Sequence, residues 1–167
     1  MKKLIIFLLM ILPLGVFAQE AKVAIVNSNE IMGAMPEIKA MQTELEQMNN
    51  KYVEEMKTME SEFQKKYSDY VAQQDSLTEN IKLKRMQELE DLRTRVENFS
   101  QVAQQDMQKK QQELLAPIQD KLRNAIKTVG DEKGYAYIID NNPGIVLYTG
   151  NAAIDATPLV KAKLGLN

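Results

Sequence analysis

The side chains that could do chemistry in this chain are carboxylates, amines, hydroxyls and thioethers, because it contains no histidine and no cysteine. Without those two there is no imidazole general base, no thiol nucleophile and no nitrogen or sulfur metal site. The 23 acidic residues leave carboxylate chemistry formally open. They are spread along helical stretches among lysines and arginines, which is the pattern of solvated ion pairs and not of a matched acid and base. Gly130 and Gly134 flank Asp131-Glu132-Lys133, which reads as a helix end and turn and not as a phosphate-cradling loop. No catalytic residue, no cofactor and no metal site is expected.

Two groups of residues suit binding instead. Met41, Met48, Met56 and Met59 recur at helical spacing, with Met86 and Met107 further along. Thioether side chains are flexible and polarizable, and surfaces that accept many partners use them. The same positions also suit the seam between two helices, where they would pack against each other. The second group is basic: Lys65, Lys66, Lys82, Lys84 and Arg85 lie on either side of a polar break. Such a cluster either grips anionic lipid or acidic segments, giving peripheral membrane contact, or forms a solvated helix face.

The elements that position these residues are mostly helical. Between Glu37 and Gln73 there is no glycine or proline, and apolar residues from Ile38 to Tyr70 recur at gaps of three and four. That is a heptad-like seam on one face of a helix. After Gln73-Gln74-Asp75-Ser76, where Ser76 and Glu79 have capping-box spacing, a second seam runs through Leu77, Ile81, Met86, Leu89, Leu92, Val96, Phe99, Ala103 and Met107. It continues to Val129 and is expected to end near Gly130. So short a connection folds the two helices into an antiparallel hairpin, with each arm about 55 Å long at 1.5 Å per residue. Pro117 is expected to kink the second helix and to mark the base of the arm.

The ends of the chain differ from the middle. Lys2 and Lys3 precede an apolar run from Leu4 to Leu12, followed by Pro13, Gly15 and Val16-Phe17-Ala18. This is the pattern of a secretory signal peptide, residues 1–18, cleaved after Ala18. The run is shorter than the roughly 20 residues of a membrane-spanning helix. Loss of the two leader lysines from 21 basic residues against 23 acidic leaves a mature charge of −4, which excludes nucleic acid as a partner. Three β-type runs are expected at Lys22–Asn27, Tyr135–Asp140 and Ile145–Tyr148, with Asn141–Gly144 as a hairpin turn between the last two. Thr157 before Pro158 is expected to cap a short helix reaching Leu164. So small a sheet has exposed edges and is marginal alone, so several copies are expected to close into one body.

Particular residues now carry a resemblance. Lys22-Val23-Ala24-Ile25-Val26-Asn27 leads to Ile31, Pro36, Lys39 and Leu45; Leu115-Ala116-Pro117-Ile118 leads to Ile126, Lys133-Gly134-Tyr135 and Ile138-Ile139-Asp140; Leu147-Tyr148 precedes Asp155-Ala156-Thr157. With these blocks the chain resembles the Skp/OmpH family of periplasmic chaperones. The resemblance implies an α+β, predominantly α fold: a long helical-hairpin arm at 37–114 on a small β-sheet or barrel body, 19–36 and 115–167, formed by oligomerisation. It implies a homotrimer in the periplasm that holds unfolded outer-membrane proteins without ATP, and no enzyme activity. Client-contact candidates are then Met41, Met48, Met56, Met59, Lys65, Lys66, Lys82, Lys84 and Arg85; trimer-body candidates are Val23, Ile25, Ile138 and Leu147. The better-known members are strongly basic, and this chain is not.

Overall fold

A computed structural model describes residues 22–142 and 146–166. The expected signal peptide lies outside these residues. Strand β1 (Val23–Val26) ends at Asn27, whose side chain accepts a hydrogen bond from the Glu30 amide at 3.0 Å and so caps helix α1 (Ser28–Ala34). This seven-residue helix was not expected from the sequence. Pro36 occupies the first turn of helix α2 (Pro36–Gln73), where its missing N–H costs nothing. A single turn, Gln74–Ser76, leads to helix α3 (Glu79–Lys133), and then come strands β2 (Tyr137–Asp140) and β3 (Ile154–Asp155) and helix α4 (Thr157–Lys163).

Three local details differ from the sequence reading. Ser76 makes no capping box; its hydroxyl donates back to the Gln73 carbonyl at 2.8 Å, closing α2, while Thr78 stands at the start of α3 without a side-chain bond. Helix α3 runs through Gly130 and stops at Gly134, whose φ of 64° is the left-handed conformation that favours glycine. Thr157 does not cap α4: Ala156 holds that position, Asp155 Oδ1 accepts from the Thr157 amide at 2.9 Å, and Thr157 Oγ1 accepts from the Asn27 amide at 3.0 Å. Pro117 lies inside α3, as expected from the sequence.

The third strand also differs. Residues 143–145 are outside the described region, Leu147 is 96% exposed, and the strand that pairs with β1 is Ile154–Asp155. The sheet order is β2-β1-β3 and both pairings are parallel, with Val23 opposite Tyr137 and Ala24 opposite Ile154. A parallel pair needs a crossover connection, and here the whole α2–α3 hairpin is that connection between β1 and β2.

One face of the sheet is covered. Ala24 and Val26 point into a core with Ile31, Leu122, Ala125, Val129, Ala156 and Val160, and Ile138 packs against it. Helix α3 packs on this face at Gly130, where a Cβ would stand in ordinary contact, 3.5 Å from Ile138 Cδ1. A polar clasp closes the strand ends: Ser28 Oγ donates to Asp140 Oδ2 at 2.5 Å, and Asn142 Nδ2 donates to the same oxygen at 2.7 Å. The other face carries Val23, Ile25, Tyr137 and Ile139, of which Tyr137 is 67% exposed. Parallel sheets are normally covered on both faces, so a side left uncovered among the described residues is an unusual feature.

Candidate functional site

The arm is a hairpin only two helices thick, so each seam residue has a neighbour on one side and solvent near the other. No residue of α2 is fully buried, and above the body α3 fully buries only Leu92 and Ala103. Met41, Met48, Met56 and Met59 are half-buried on the seam, as helix packing requires. Polar rungs cross the lower arm: Glu37 pairs with Lys121, Lys110 Nζ lies 2.6 Å from Glu44 Oε1, and the Tyr52 hydroxyl donates to Asp106 Oδ2 at 2.9 Å. Tyr52 also meets Phe99 edge-on with ring centroids 5.8 Å apart, fixing the register of the two helices.

These rungs titrate. The bond to Asp106 raises the Tyr52 hydroxyl above its ordinary 10.0, and the bond to Glu44 raises the Lys110 ammonium above 10.5. A raised folded-state value means the contribution is complete below the ordinary value and fades as pH rises through the elevated one. The arm is therefore expected to lose helicity in an alkaline step above about pH 10, and Tyr52→Phe should remove the tyrosine part of that step. Far-UV circular dichroism against pH checks this. At the root the opposite sign holds, since the Lys121 hydrogen bond lowers the Glu37 carboxyl, and that pairing is lost as pH falls through the depressed value.

Two open grooves lie along one face of the arm. One, of about 660 Å³, is lined by Tyr52, Val53, Met56, Ala103 and Met107 among others; the next, about 630 Å³, by Phe63, Val96 and Arg93, and Glu60 borders both. Towards the tip the seam departs from expectation. Ile81 and Met86 are exposed, and Lys82 takes the half-buried place instead, with its ammonium 3.0 Å from Glu79. Tyr67, expected on the seam of α2, is also exposed and stacks on Phe63 with centroids 6.2 Å apart.

Among the basic candidates, Lys66 pairs with Glu62 at 3.6 Å, Lys82 with Glu79 and Arg85 with Glu88 at 3.3 Å. Lys65 and Lys84 are exposed. The tip is thus largely neutralised by its own carboxylates. Ile138 packs against the sheet core, Val23 and Ile25 lie on its other face, and Leu147 is almost fully exposed. The sequence reading passed over the exposed apolar residues Val53, Val71 and Leu83. Val53 and Val71 each stand one position after a seam residue, Tyr52 and Tyr70, and that offset is the signal by which they could have been found; Leu83 follows Lys82, which the seam pattern did not include. Among the described residues no acidic cluster could hold a metal, and no helix is long and apolar enough to cross a membrane.

Comparison with known proteins agrees with this architecture. A crystal structure of a candidate outer membrane chaperone, OmpH-like, from Caulobacter crescentus CB15 superimposes with a TM-score of 0.74 at 18% sequence identity, covering 85% of this chain and 82% of that one. No curated protein matches the sequence. The outer membrane protein (OmpH-like) family matches residues 22–164, which takes in both strands of the crossover, the whole arm and helix α4. The chain belongs to the OmpH-like family.

Proposed function

We propose that this protein is an ATP-independent periplasmic holdase that binds unfolded outer-membrane proteins and keeps them from aggregating, acting as a homotrimer and not as an enzyme. The observation that carries the reading is the arm itself: a long helical hairpin whose apolar seam is half-covered and opens into shallow grooves. Family membership and the leader-like N-terminus support it. In this reading residues 37–114 form the arm, and 19–36 with 115–167 form the body.

A holdase must bind exposed apolar segments yet release them to a better acceptor, and many weak contacts suit that more than one deep pocket. Three bodies joined through the uncovered sheet face would hold three arms around one client. Tethered surfaces raise effective concentration without any single tight contact, so release needs no nucleotide.

The test is light scattering of a denatured outer-membrane β-barrel protein diluted with and without the mature chain, with the chain's mass measured in parallel. Suppressed aggregation by a species of three protomers is the expected result. A trimer that leaves aggregation untouched would instead make the arm a spacer between envelope components.

A further inference from the structure

The two broad faces of the arm are not equivalent. Glu60 borders both apolar grooves, so they form one continuous track. The residues beside it on α2, Val53, Lys57 and Gln64, each follow a seam position by one, and Val71 continues the same row one heptad on. On α3 the row of Arg93 and Glu97 extends at helical spacing to Met86 and Leu83, the latter 71% exposed. The opposite face also has grooves, lined by Glu44, Met48, Lys51 and Lys110 near the root and by Lys66, Asp69, Leu77 and Glu88 near the tip, but the exposed Val53, Tyr67, Val71 and Met86 gather on the first face.

We propose that the Val53–Val71 face of each arm is the client-binding surface, and that its occupant is one extended segment of an outer-membrane barrel, of the length of a single membrane strand. This rests on the holdase reading above and names the surface and the ligand for it. Length supports the occupant. From Asn49 in the first groove to the exposed Val71 beyond the second, the row spans roughly 33 Å at 1.5 Å per residue, which is the reach of about ten residues of extended chain. A membrane-spanning barrel strand has about 9–11 residues, apolar on one side and polar on the other. Such a segment presents its apolar side to the Val53, Met56, Phe63 and Met86 row and its polar side to solvent. Charge agrees as well, because the rim is neutral: Arg93 pairs with Glu97 at 3.1 Å, and Lys57 is balanced by Glu60 along the groove edge. A neutral rim selects an uncharged strand.

Val102 provides a matched control. It is 51% exposed, close to the 57% of Val53, and lines neither groove. With full-length mature chain and a denatured outer-membrane barrel as probe, Val53→Glu with Val71→Glu should weaken client retention by about tenfold or more, since a charge is set into an apolar contact. Val102→Glu should change it less than about twofold, and wild-type retention should vary little between low salt and about 0.5 M. A ten-residue alternating apolar-polar peptide should compete with the barrel, and a peptide of equal composition arranged at helical period should not.

Because the chain lacks cysteine, Val53→Cys and Val102→Cys each accept one photo-crosslinker, so the faces can be compared even if a glutamate variant folds poorly. Crosslinking to the client from position 53 and not from 102 is the expected outcome. If wild type fails to hold the barrel, the holdase reading falls and this inference with it. If wild type holds it while both faces crosslink equally, or the helical-period peptide competes equally, only the assignment of face and occupant is overturned.

Discussion

Replacing Tyr137 and Ile139 together by aspartate is expected to split the proposed trimer into folded monomers and to weaken client retention by about 10²-fold or more. The two residues lie opposite Val23 and Ile25 in the β1–β2 register, on the sheet face that no element among the described residues covers. Their substitution leaves the protomer's own core, on the other face, intact. In the joined state aspartates would have to enter an apolar contact without partners, at a cost of several kcal/mol. The loss of retention is larger than any one contact could explain, because separation removes the gain of roughly 10²–10⁴ that tethering supplies. Mass measurement by light scattering reports the split, circular dichroism the unchanged helicity, and aggregation suppression the loss of function. A double variant that stays oligomeric would place the interface elsewhere on the body.

Ile31→Ala should have the largest effect on stability. Ile31 is fully buried on α1, between the strands and the α3–α4 pair, and belongs to the core cluster with Val26, Leu122 and Val160. Deleting a buried isoleucine to alanine costs about 2–5 kcal/mol, a large part of the roughly 5–15 kcal/mol that holds a domain together. The arm does not depend on this contact, since its own rungs lie between α2 and α3. Urea unfolding is therefore expected to show an early loss of the body, at a midpoint that depends on protein concentration, while arm helicity persists to higher denaturant. A single unchanged transition would mean that the core does not rest on α1.

The arm was legible because a heptad seam repeats over many turns, and a repeated pattern outweighs local exceptions. It failed only at the tip, where Ile81 and Met86 read as seam residues by their apolar character but Lys82 took the place through its long aliphatic stem and its pair with Glu79. The body was less legible, since four-residue and two-residue strands carry too little alternation to state their direction. Asn141–Gly144 looked like a hairpin turn. Asn141 and Asn142 instead bind back to the strand ends, the Asn141 amide donating to the Val26 carbonyl at 2.7 Å. Helix α1 had a readable start in Asn27 with Glu30 three residues on, but Gly33 and its short length concealed it. The functional face was hidden for a different reason. Seam methionines stand out by composition, whereas Val53 and Val71 matter through which side of the hairpin they occupy, and only the packed pair of helices defines a side.

The crossover made by the arm also sets an order of events during folding. Strand β1 is synthesised first but has no hydrogen-bonding neighbour until Tyr137–Asp140 exists, because β2 and β3 both follow the arm. Closing a flexible loop of that length would be slow and entropically costly. The hairpin removes most of the delay, since its contacts are local to the turn and helices zip within microseconds. Zipping from the tip downward delivers the two chain ends to the same place, so the arm acts as the template on which its own base assembles. A chain of this design keeps an unpaired strand waiting only until Tyr137–Asp140, just after α3, arrive.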